Sequence, residues 1–467
     1  MKPQQQESLN SKKVLIETWG CQMNVADSEQ MLGMLKDQNY TLTNELDDAD
    51  LVLLNTCHIR EKARHKVVSR LGKLANLKDK NNLKMKVAVT GCVAQAEGKK
   101  LMEAAKNIDV LLGPGKMDQL PELLKKFEKT GNKQIAVGFK DAENKQAAPA
   151  LKKKSYVNPT ITGKSDVSRF INISQGCDNF CTFCVVPFTR GREISLAPEK
   201  VISEAKGLVE AGAKEITLLG QNVNSYGLDL VTTESSANTV RGPFVELLSA
   251  VSEIDGLERL RFTTSNPHDF TKPLAGLFKE QAKLGRYIHL PVQSGSNVVL
   301  ERMKRKVTAQ EYFERIDWLR AAVPDMAIST DLIVGFPGET DAQFEETMQL
   351  IERVQFSFVY AFMYSPRRGT AAARFKDQVP KSVMEKRLQA LLELQTQNTI
   401  RQNLGEIGQT RTVLCHYESN KEKGVYYGRT EHFRLVRIPA EKNLVRQTVQ
   451  VTITDANKTA LVGELLE

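Results

Sequence analysis

Short apolar runs alternate with amphipathic segments over the first 130 residues of the chain. Residues 14–21, 51–57 and 85–92 each have the apolar content of a buried strand, and a segment of helical periodicity follows each of them. Strand, turn and helix repeated in this order predict a parallel α/β sheet. Ligands of such sheets gather beyond the carboxyl ends of the strands, so the residues at the ends of these runs are candidates for a site.

A second set of strand-like runs fills the central part of the chain and alternates with helical patterns such as 198–211 and 309–322. Repeated strand–helix units of this kind predict an incomplete TIM-like barrel whose active site lies at the carboxyl ends of the strands. His289 lies at one strand end, where packing and a proton-shuttle role are both open. The six runs are 169–174, 215–219, 257–263, 286–290, 327–334 and 356–364.

After the helical pattern 381–402 the chain changes to short alternating segments, which predict a small β-barrel. The protein is therefore predicted to be of the α/β class, with an N-terminal domain, a linker without sustained periodicity, a central barrel and a small C-terminal β-barrel. The predicted bounds are 12–130, 131–162, 163–398 and 399–467, and the segments of the last domain are 410–415, 424–430, 435–438 and 448–456.

Basic and aromatic residues are interleaved in the small C-terminal barrel. From Arg411 through Arg446 there are eight Lys or Arg residues against four Glu residues. Basic groups can follow a phosphate backbone while aromatic faces accept unstacked bases, so a single-stranded RNA loop fits as a ligand. Aromatic residues of so small a barrel usually fill its core, and we expect most of these four to do so. They are Tyr417, Tyr426, Tyr427 and Phe433.

Composition limits the class of protein. The 467 residues are 41% hydrophobic and 26% charged, as in globular proteins, and the net charge of +9 permits a polyanionic partner without requiring one. The first thirteen residues are polar and no run has the length of a membrane span, so we expect a cytoplasmic protein without a membrane partner. Seven unevenly spaced cysteines do not resemble a disulfide framework, and in a reducing compartment they favour metal chemistry.

Cys177, Cys181 and Cys184 form a C-x3-C-x2-C cluster at the start of the central barrel. Three thiolates can hold an iron–sulfur cluster and leave one iron open to another ligand, unlike four-cysteine electron-transfer clusters. A zinc site would need paired C-x2-C knuckles and a fourth ligand at short range, whereas the nearest downstream histidine is His268. The spacing thus favours an iron–sulfur cluster over zinc and over simple packing.

Cys21, Cys57 and Cys92 occupy the same structural position, each at the end of one of the first three predicted strands. Neighbouring strand ends of a parallel sheet lie side by side, so these cysteines can converge. Taken singly, each fits an ordinary buried thiol. No packing rule favours cysteine at the polar end of every strand, and the three together favour a second site.

The C-x3-C-x2-C run, with Phe183 before its last cysteine, resembles the radical S-adenosylmethionine (SAM) superfamily. Five motifs further resemble the bacterial tRNA methylthiotransferases, and this resemblance extends from about residue 12 to the end of the chain. Departures are mild: Trp19 and Phe183 stand where tyrosine is usual. The motifs are TWGCQMN (18–24), NTCHIREK (55–62), GCVAQ (91–95), QGCDNFCTFC (175–184) and LLGQNVNSY (218–226).

The resemblance implies two [4Fe-4S] clusters, SAM, and a C-terminal RNA-binding domain of the TRAM type. The core triad, Cys177, Cys181 and Cys184, would be catalytic, since the open iron binds SAM and its reduction releases a 5′-deoxyadenosyl radical. A second cluster on Cys21, Cys57 and Cys92 would carry or donate sulfur. By the same resemblance five residues on or near the barrel rim are expected to contact SAM. They are Phe183, Gln221, Asn222, Gln293 and Gly335.

The reaction implied by the family is methylthiolation of tRNA at C2 of N6-isopentenyladenosine, beside the anticodon. Threonylcarbamoyl-adenosine in tRNA and an aspartate of a ribosomal protein are the alternative substrates, and QMN (22–24) and QNVNSY (221–226) favour the isopentenyl branch. From another class, a non-catalytic iron–sulfur electron carrier or an RNA-binding protein remains open. Expected partners are the tRNA anticodon stem-loop, an electron donor such as a flavodoxin, and a sulfur source or iron–sulfur carrier. We expect a monomer.

Overall fold

The computed structural model describes residues 11–57, 61–81, 84–138, 167–230 and 241–466. The chain forms two compact units. The first unit contains the described residues up to 138 together with Gln175–Asp178 and Val185–Ile194. The second unit contains 167–174, Asn179–Cys184 and the described residues from Ser195 onward. No helix in the described part of the chain is both long enough and apolar enough to cross a membrane.

The first unit is built on a parallel sheet, as predicted. Among its described residues the strand order is β2-β1-β3-β4-β5-β6, and every neighbouring pair is parallel. The elements are β1 (Lys12–Trp19), α1 (Gln22–Lys36), β2 (Tyr40–Leu42), β3 (Leu51–Thr56), α2 (Glu61–Asn81), β4 (Lys86–Gly91), α3 (Cys92–Glu97), α4 (Lys99–Ala104), β5 (Val110–Leu112), α5 (Leu120–Thr130) and β6 (Gln134–Ala136).

Strand β3 shows that this sheet is covered on both faces. All six of its residues are buried, as expected for a parallel strand between two helical layers. Val52 and Leu54 pack into one hydrophobic cluster, while Leu51 and Leu53 pack into another on the opposite face. Alternate side chains of one strand therefore belong to different cores, and the register of β3 is fixed from both sides.

The predicted boundary of the N-terminal domain at residue 130 is too early. Strand β6 pairs with β5 through Val110 and Gln134, so the sheet continues to Ala136, inside the stretch predicted as a linker. This strand of three residues has too few alternating positions to be recognised from sequence. The rest of the predicted linker, 139–162, lies outside the described residues.

The central strands form the predicted incomplete barrel. Among the described residues, β7, β10 and β11 make one three-stranded sheet and β12, β13 and β14 make another, with all pairs parallel. The elements are β7 (Ser168–Asn172), β8 (Ser174–Gln175), α6 (Val186–Thr189), β9 (Ile194–Ser195), α7 (Pro198–Glu210), β10 (Glu215–Leu219), α8 (Pro243–Ser252), β11 (Arg259–Thr263), α9 (Lys272–Glu280), β12 (Tyr287–His289), α10 (Asn297–Arg302), α11 (Ala309–Ala322), β13 (Ala327–Val334), α12 (Asp341–Val354), β14 (Phe358–Met363) and α13 (Lys381–Leu404).

The C-terminal segment is a closed five-stranded barrel in the order β15-β16-β17-β19-β18. Its fifth strand, β19, was not predicted, and α13 runs past the expected boundary at 398. Cys415 is fully buried in the core of this barrel, as expected, and burial raises the pKa of its thiol to about 12. The strands are β15 (Thr410–Glu418), β16 (Val425–Thr430), β17 (Leu435–Pro439), β18 (Thr448–Ala456) and β19 (Leu461–Leu465).

The expectation that most aromatic residues of this barrel fill its core is wrong. Only Tyr426 of the four belongs to the core cluster. Tyr417 and Tyr427 are half-buried and stack on each other with ring centroids 5.5 Å apart. Phe433 stacks on Tyr287 of the central barrel at 4.9 Å. Mainly Val, Ile and Leu side chains, with Tyr426 and Cys415, fill the closed barrel, and the other three aromatic rings lie outside its core.

The C-terminal barrel packs against the amino ends of the central strands within the second unit. Glu215, the first residue of β10, accepts a hydrogen bond from Arg261 Nε at 2.9 Å. Arg261 Nη2 also donates to the Thr430 carbonyl at 3.0 Å, and Arg259 donates to the Arg429 carbonyl at 2.8 Å. The opposite, carboxyl ends of the strands carry the candidate site.

Candidate functional site

Three cysteines of the first unit lie at the carboxyl ends of adjacent strands. The register pairs Thr56 of β3 with Trp19 of β1 and with Gly91 of β4. Cys57, which follows Thr56, donates its backbone N–H to the Trp19 carbonyl at 2.8 Å. Cys21 and Cys92 follow the ends of the two flanking strands. The sheet thus brings the three predicted ligands to one edge.

A glycine precedes Cys92 for a steric reason. Gly91 has a φ of +89°, in the left-handed region, and a Cβ atom at this position would collide with the Thr56 carbonyl oxygen of the neighbouring strand. The close approach of the two backbones places the following cysteine beside the end of β3. The glycine directly before Cys92 is visible in the sequence, and its steric role agrees with a site at the ends of these strands.

Hydrogen bonds hold Cys21 in position. Its backbone N–H and its thiol both lie 3.4 Å from Asn24 Oδ1. The Asn24 amide in turn donates to Asn55 Oδ1 at 3.0 Å, and Asn55 Nδ2 donates to Ser28 Oγ at 2.9 Å. All three of these polar residues are fully buried behind the cysteines. Buried amides that satisfy one another fix the strand end and the start of α1 together.

The surroundings of Cys21 favour its thiolate. A hydrogen bond with the Cys57 side chain and the positive charge of Arg190 outweigh burial, and they lower the pKa of the Cys21 thiol to about 6. Thiolates, rather than thiols, bind metals and iron–sulfur clusters. The site therefore presents a ligand already ionised at neutral pH.

Arg190 and Asp27 form a buried ion pair in the same unit. Arg190 Nη2 donates to Asp27 Oδ2 at 2.8 Å, and the two side chains are 5% and 2% exposed. Burial alone lowers the pKa of the guanidinium, but attraction to Asp27, Cys92 and Cys21 outweighs burial and raises it above the ordinary value. Arg190 therefore stays charged and acts on two of the three cysteines.

Of the predicted core-triad cysteines, Cys177 belongs to the first unit, and Cys181 and Cys184 belong to the second. Cys177 donates its backbone N–H to the Gly191 carbonyl at 3.2 Å, within the first unit. In the second unit Cys184 donates its N–H to the Cys181 carbonyl at 3.0 Å, which closes a tight turn. Arg305 Nη1 donates to the Cys181 sulfur at 3.7 Å, so a positive charge faces this predicted ligand.

In the described part of the chain, no three His, Cys, Asp or Glu side chains are grouped closely enough to share a single metal ion. The cysteines of a [4Fe-4S] cluster each bind a different iron atom, so they stand further apart than the ligands of one ion. Two sets of three cysteines therefore suit clusters by their donor chemistry, which is all-thiolate and includes one acidic thiol, Cys21.

The residues expected to contact SAM lie on or near the carboxyl rim of the second unit. Gln221 and Asn222 follow β10, and Asn222 donates to Asp269 Oδ2 at 2.7 Å. Gln293, with a φ of +83°, follows β12, and Gly335, with a φ of +71°, follows β13. Phe183 packs edge-on against Phe336 with ring centroids 6.5 Å apart.

Buried polar atoms on this rim suit a polar ligand. Ser174 Oγ, Asn222 Oδ1 and Ser265 Oγ are buried, and none has a hydrogen-bond partner among the described residues. They belong to the segments that follow β7, β10 and β11. A buried polar atom without a partner is costly. The amino, carboxylate and hydroxyl groups of SAM are of the kind that would satisfy them.

His289 belongs to a polar chain in the second unit. Its Nδ1 lies 2.8 Å from Ser329 Oγ, and Ser329 Oγ lies 2.7 Å from the Tyr287 hydroxyl. His289 Nε2 lies 3.5 Å from Asp331 Oδ1. The imidazole thus has a hydrogen bond at Nδ1 and a carboxylate near Nε2, and these contacts account for its position.

Reasoning from the sequence alone assigns no role to Arg190, Asp27 or Arg305. Arg190 and Asp27 are 163 residues apart, and no periodicity connects them. Asn24 lies in the motif 18–24, three residues after Cys21. Its place in that motif was the signal in the sequence that pointed to it.

Two protein-family models match separate stretches of the chain. Residues 13–113 match the model described as "Uncharacterized protein family UPF0004", and residues 171–351 match the radical SAM superfamily. A protein of Geotalea uraniireducens is 43% identical over 97% of this chain and 99% of its own length. One of Bartonella tribocorum is 43% identical over 99% of this chain and 98% of its own length. Both are named tRNA-2-methylthio-N(6)-dimethylallyladenosine synthase.

Solved structures support the fold at low sequence identity. The radical SAM methyltransferase TsrM of Kitasatospora setae superimposes with a TM-score of 0.55 at 13% identity, over 78% of this chain and 74% of that one. The cobalamin-dependent SAM radical enzyme OxsB gives a TM-score of 0.50 at 13% identity, over 80% of this chain and 56% of that one. These likenesses concern the fold alone.

Proposed function

The chain belongs to the family of tRNA-2-methylthio-N(6)-dimethylallyladenosine synthases, and we propose that it places a methylthio group on C2 of N6-isopentenyladenosine beside the tRNA anticodon. Isopentenyl and dimethylallyl name the same substituent. The observation that carries the proposal is identity of 43% over nearly the whole length of relatives with this name. As a radical SAM enzyme it uses SAM and a [4Fe-4S] cluster.

Cys177, Cys181 and Cys184 would hold the cluster that binds SAM. When bound, this pair of cofactors supplies a 5′-deoxyadenosyl radical, which can remove the unactivated hydrogen at C2. The protein's own part is to position the reactants and exclude water. Arg305 orients the Cys181 sulfur, while Phe183 and Phe336 present an apolar wall beside the cysteine loop.

We further propose that Cys21, Cys57 and Cys92 hold a second [4Fe-4S] cluster that carries or donates the sulfur. The placement of these cysteines at adjacent strand ends and the lowered pKa of Cys21 support this assignment. An electron donor such as a flavodoxin and a sulfur source or iron–sulfur carrier would complete the reaction. A monomer in the cytoplasm, where its tRNA is found, fits these partners.

Cells that lack the gene will have lost 2-methylthio-N6-isopentenyladenosine from bulk tRNA, and its precursor without the methylthio group will accumulate. Mass spectrometry of nucleosides from the two strains measures both species, and a plasmid copy of the gene must restore the product. An unchanged product level, with loss of the methylthiolated threonylcarbamoyl nucleoside instead, would contradict the proposed substrate.

Loss of one N-terminal cysteine will separate the two halves of the reaction. In Cys57→Ala, SAM cleavage to 5′-deoxyadenosine will persist, because the core triad is intact, while methylthiolation of a tRNA stem-loop falls to background. Both products are measured in one reaction with reconstituted protein and dithionite. Cys415→Ala is the matched control, because it removes a buried thiol of the C-terminal barrel and should leave both yields unchanged. Equal loss of both products in Cys57→Ala would argue against separate roles.

A further inference from the structure

A positive charge is buried beside the N-terminal cysteines. Arg190 directly follows α6, and α6 packs against α3, whose first residue is Cys92. The ion-pair partner of Arg190 is Asp27 in α1, and α1 begins directly after Cys21. The guanidinium therefore lies beside α1, the helix that begins after Cys21, and directly after a helix that packs against the one beginning at Cys92.

The ion pair is held as a fixed feature of the first unit. Both side chains are at least nine-tenths buried, so neither can exchange partners with solvent. Gln175 Nε2 donates to the Arg190 carbonyl at 3.3 Å, which anchors the backbone at this position. A buried charge is destabilising unless a partner of opposite charge compensates it. Asp27 is one such partner of Arg190. The nearby cysteines, as thiolates, are a second source of negative charge for the guanidinium.

The location of Arg190 and Asp27 affects the proposed second cluster because that cluster is charged. A [4Fe-4S] cluster with three thiolate ligands carries net negative charge, and reduction increases that charge. A fixed cation in a buried, weakly screened site favours the more negative state. A cation near the cysteines therefore stabilises the reduced form, and an anion near them destabilises it.

We propose that Arg190 and Asp27 are positioning residues that set the charge around the second cluster, with Arg190 raising its reduction potential and Asp27 limiting that effect. This inference rests on the proposed assignment of Cys21, Cys57 and Cys92. Arg190 lies six residues after Cys184, so the segment that leaves the core triad also supplies the counter-charge of the second site.

The test uses the full-length chain with all three core cysteines replaced by alanine, so that only the second cluster can form. Redox titration followed by electron paramagnetic resonance measures its potential, and iron and sulfide analysis measures its occupancy. Relative to this parent protein, Arg190→Gln will shift the potential to more negative values. Asp27→Asn will shift it to more positive values, and Arg190→Lys, which keeps the charge, will shift it less than Arg190→Gln.

Arg192→Gln is the matched control. It removes an arginine two positions away, but Arg192 is 67% exposed and pairs with Asp178, so solvent screens its charge and the potential should not move. A merely structural pair would give equal loss of iron in Arg190→Gln, Arg190→Lys and Asp27→Asn, or shifts of the same sign, and either result overturns the inference. A parent protein that binds no cluster would instead refute the proposed second cluster, and the inference with it.

Discussion

Replacing Cys177, Cys181 or Cys184 by alanine will reduce the formation of 5′-deoxyadenosine to background. Each cysteine supplies one of the three thiolates that the radical SAM cluster needs, and no neighbouring cysteine is available in the sequence, since Cys92 is the nearest upstream and Cys415 the nearest downstream. A cluster with two protein ligands would be lost or unable to bind SAM in the required geometry. Chromatography of reactions containing reconstituted protein, SAM and dithionite measures the product.

Two control variants separate this effect from general damage to the protein. Cys21→Ala should lose part of the iron but retain SAM cleavage, because it affects the proposed second site. Cys415→Ala should retain both iron and SAM cleavage, because its thiol lies in the core of the C-terminal barrel. Any single core-triad variant that still forms 5′-deoxyadenosine at the wild-type rate would refute the assignment of that cysteine as a ligand.

Glu215→Gln will destabilise the second unit by about 3–5 kcal/mol, the usual cost of removing one partner of a buried ion pair. The Glu215 carboxylate lies 2.9 Å from Arg261 Nε and 3.7 Å from Arg259 Nη1. All three side chains are buried, so glutamine would leave two guanidinium groups without their anion. Urea unfolding followed by circular dichroism gives the change in the unfolding midpoint.

The control for this prediction is Glu280→Gln. Glu280 pairs with Arg241, but both side chains are more than two-fifths exposed, so the loss should be about 1 kcal/mol or less. A Glu215→Gln protein that unfolds at the same urea concentration as Glu280→Gln would contradict the importance of the buried charge cluster between the two barrels.

The contribution of Glu215 to the free energy of unfolding should also depend on pH, and it should fall as the solution becomes acidic. Burial by itself raises the pKa of Glu215, but attraction to Arg261, His416 and Arg259 outweighs burial and holds the pKa well below the ordinary range. The stabilisation is therefore fully present above the pKa of an unfolded glutamate, about 4.3, and is lost only as the pH falls further toward the native value. The difference between wild type and Glu215→Gln should be constant from neutral pH down to about pH 5 and shrink below it.

Regular elements could be predicted from the sequence because their periodicity is local. The six central strands and the three strands that lead to Cys21, Cys57 and Cys92 were all recognised from short apolar runs. Strands β2, β5, β6, β9 and β19 were missed, because two to five residues give little alternation. The cysteines were recognisable because their spacing is itself the signal.

Contacts between distant parts of the chain could not be predicted in this way. Phe433 looked like a core residue of a small barrel, yet it stacks on Tyr287 and lies 4.7 Å from the Arg261 guanidinium. No pattern in the sequence separates Arg190 from the exposed Arg192, yet Arg190 is buried against Asp27. Such pairings depend on how helices and barrels pack, which no single stretch of sequence encodes.

Strand β3, whose side chains alternate between two hydrophobic clusters, restricts how this protein can vary in evolution. A one-residue insertion or deletion within β3 would exchange the faces of all its side chains and carry Cys57 away from the strand end. Strand length should therefore be inherited as strictly as the cysteines themselves. Changes in length among relatives should instead accumulate in the turns and helices on the far side of the sheet, where they leave the spacing of the three thiols untouched.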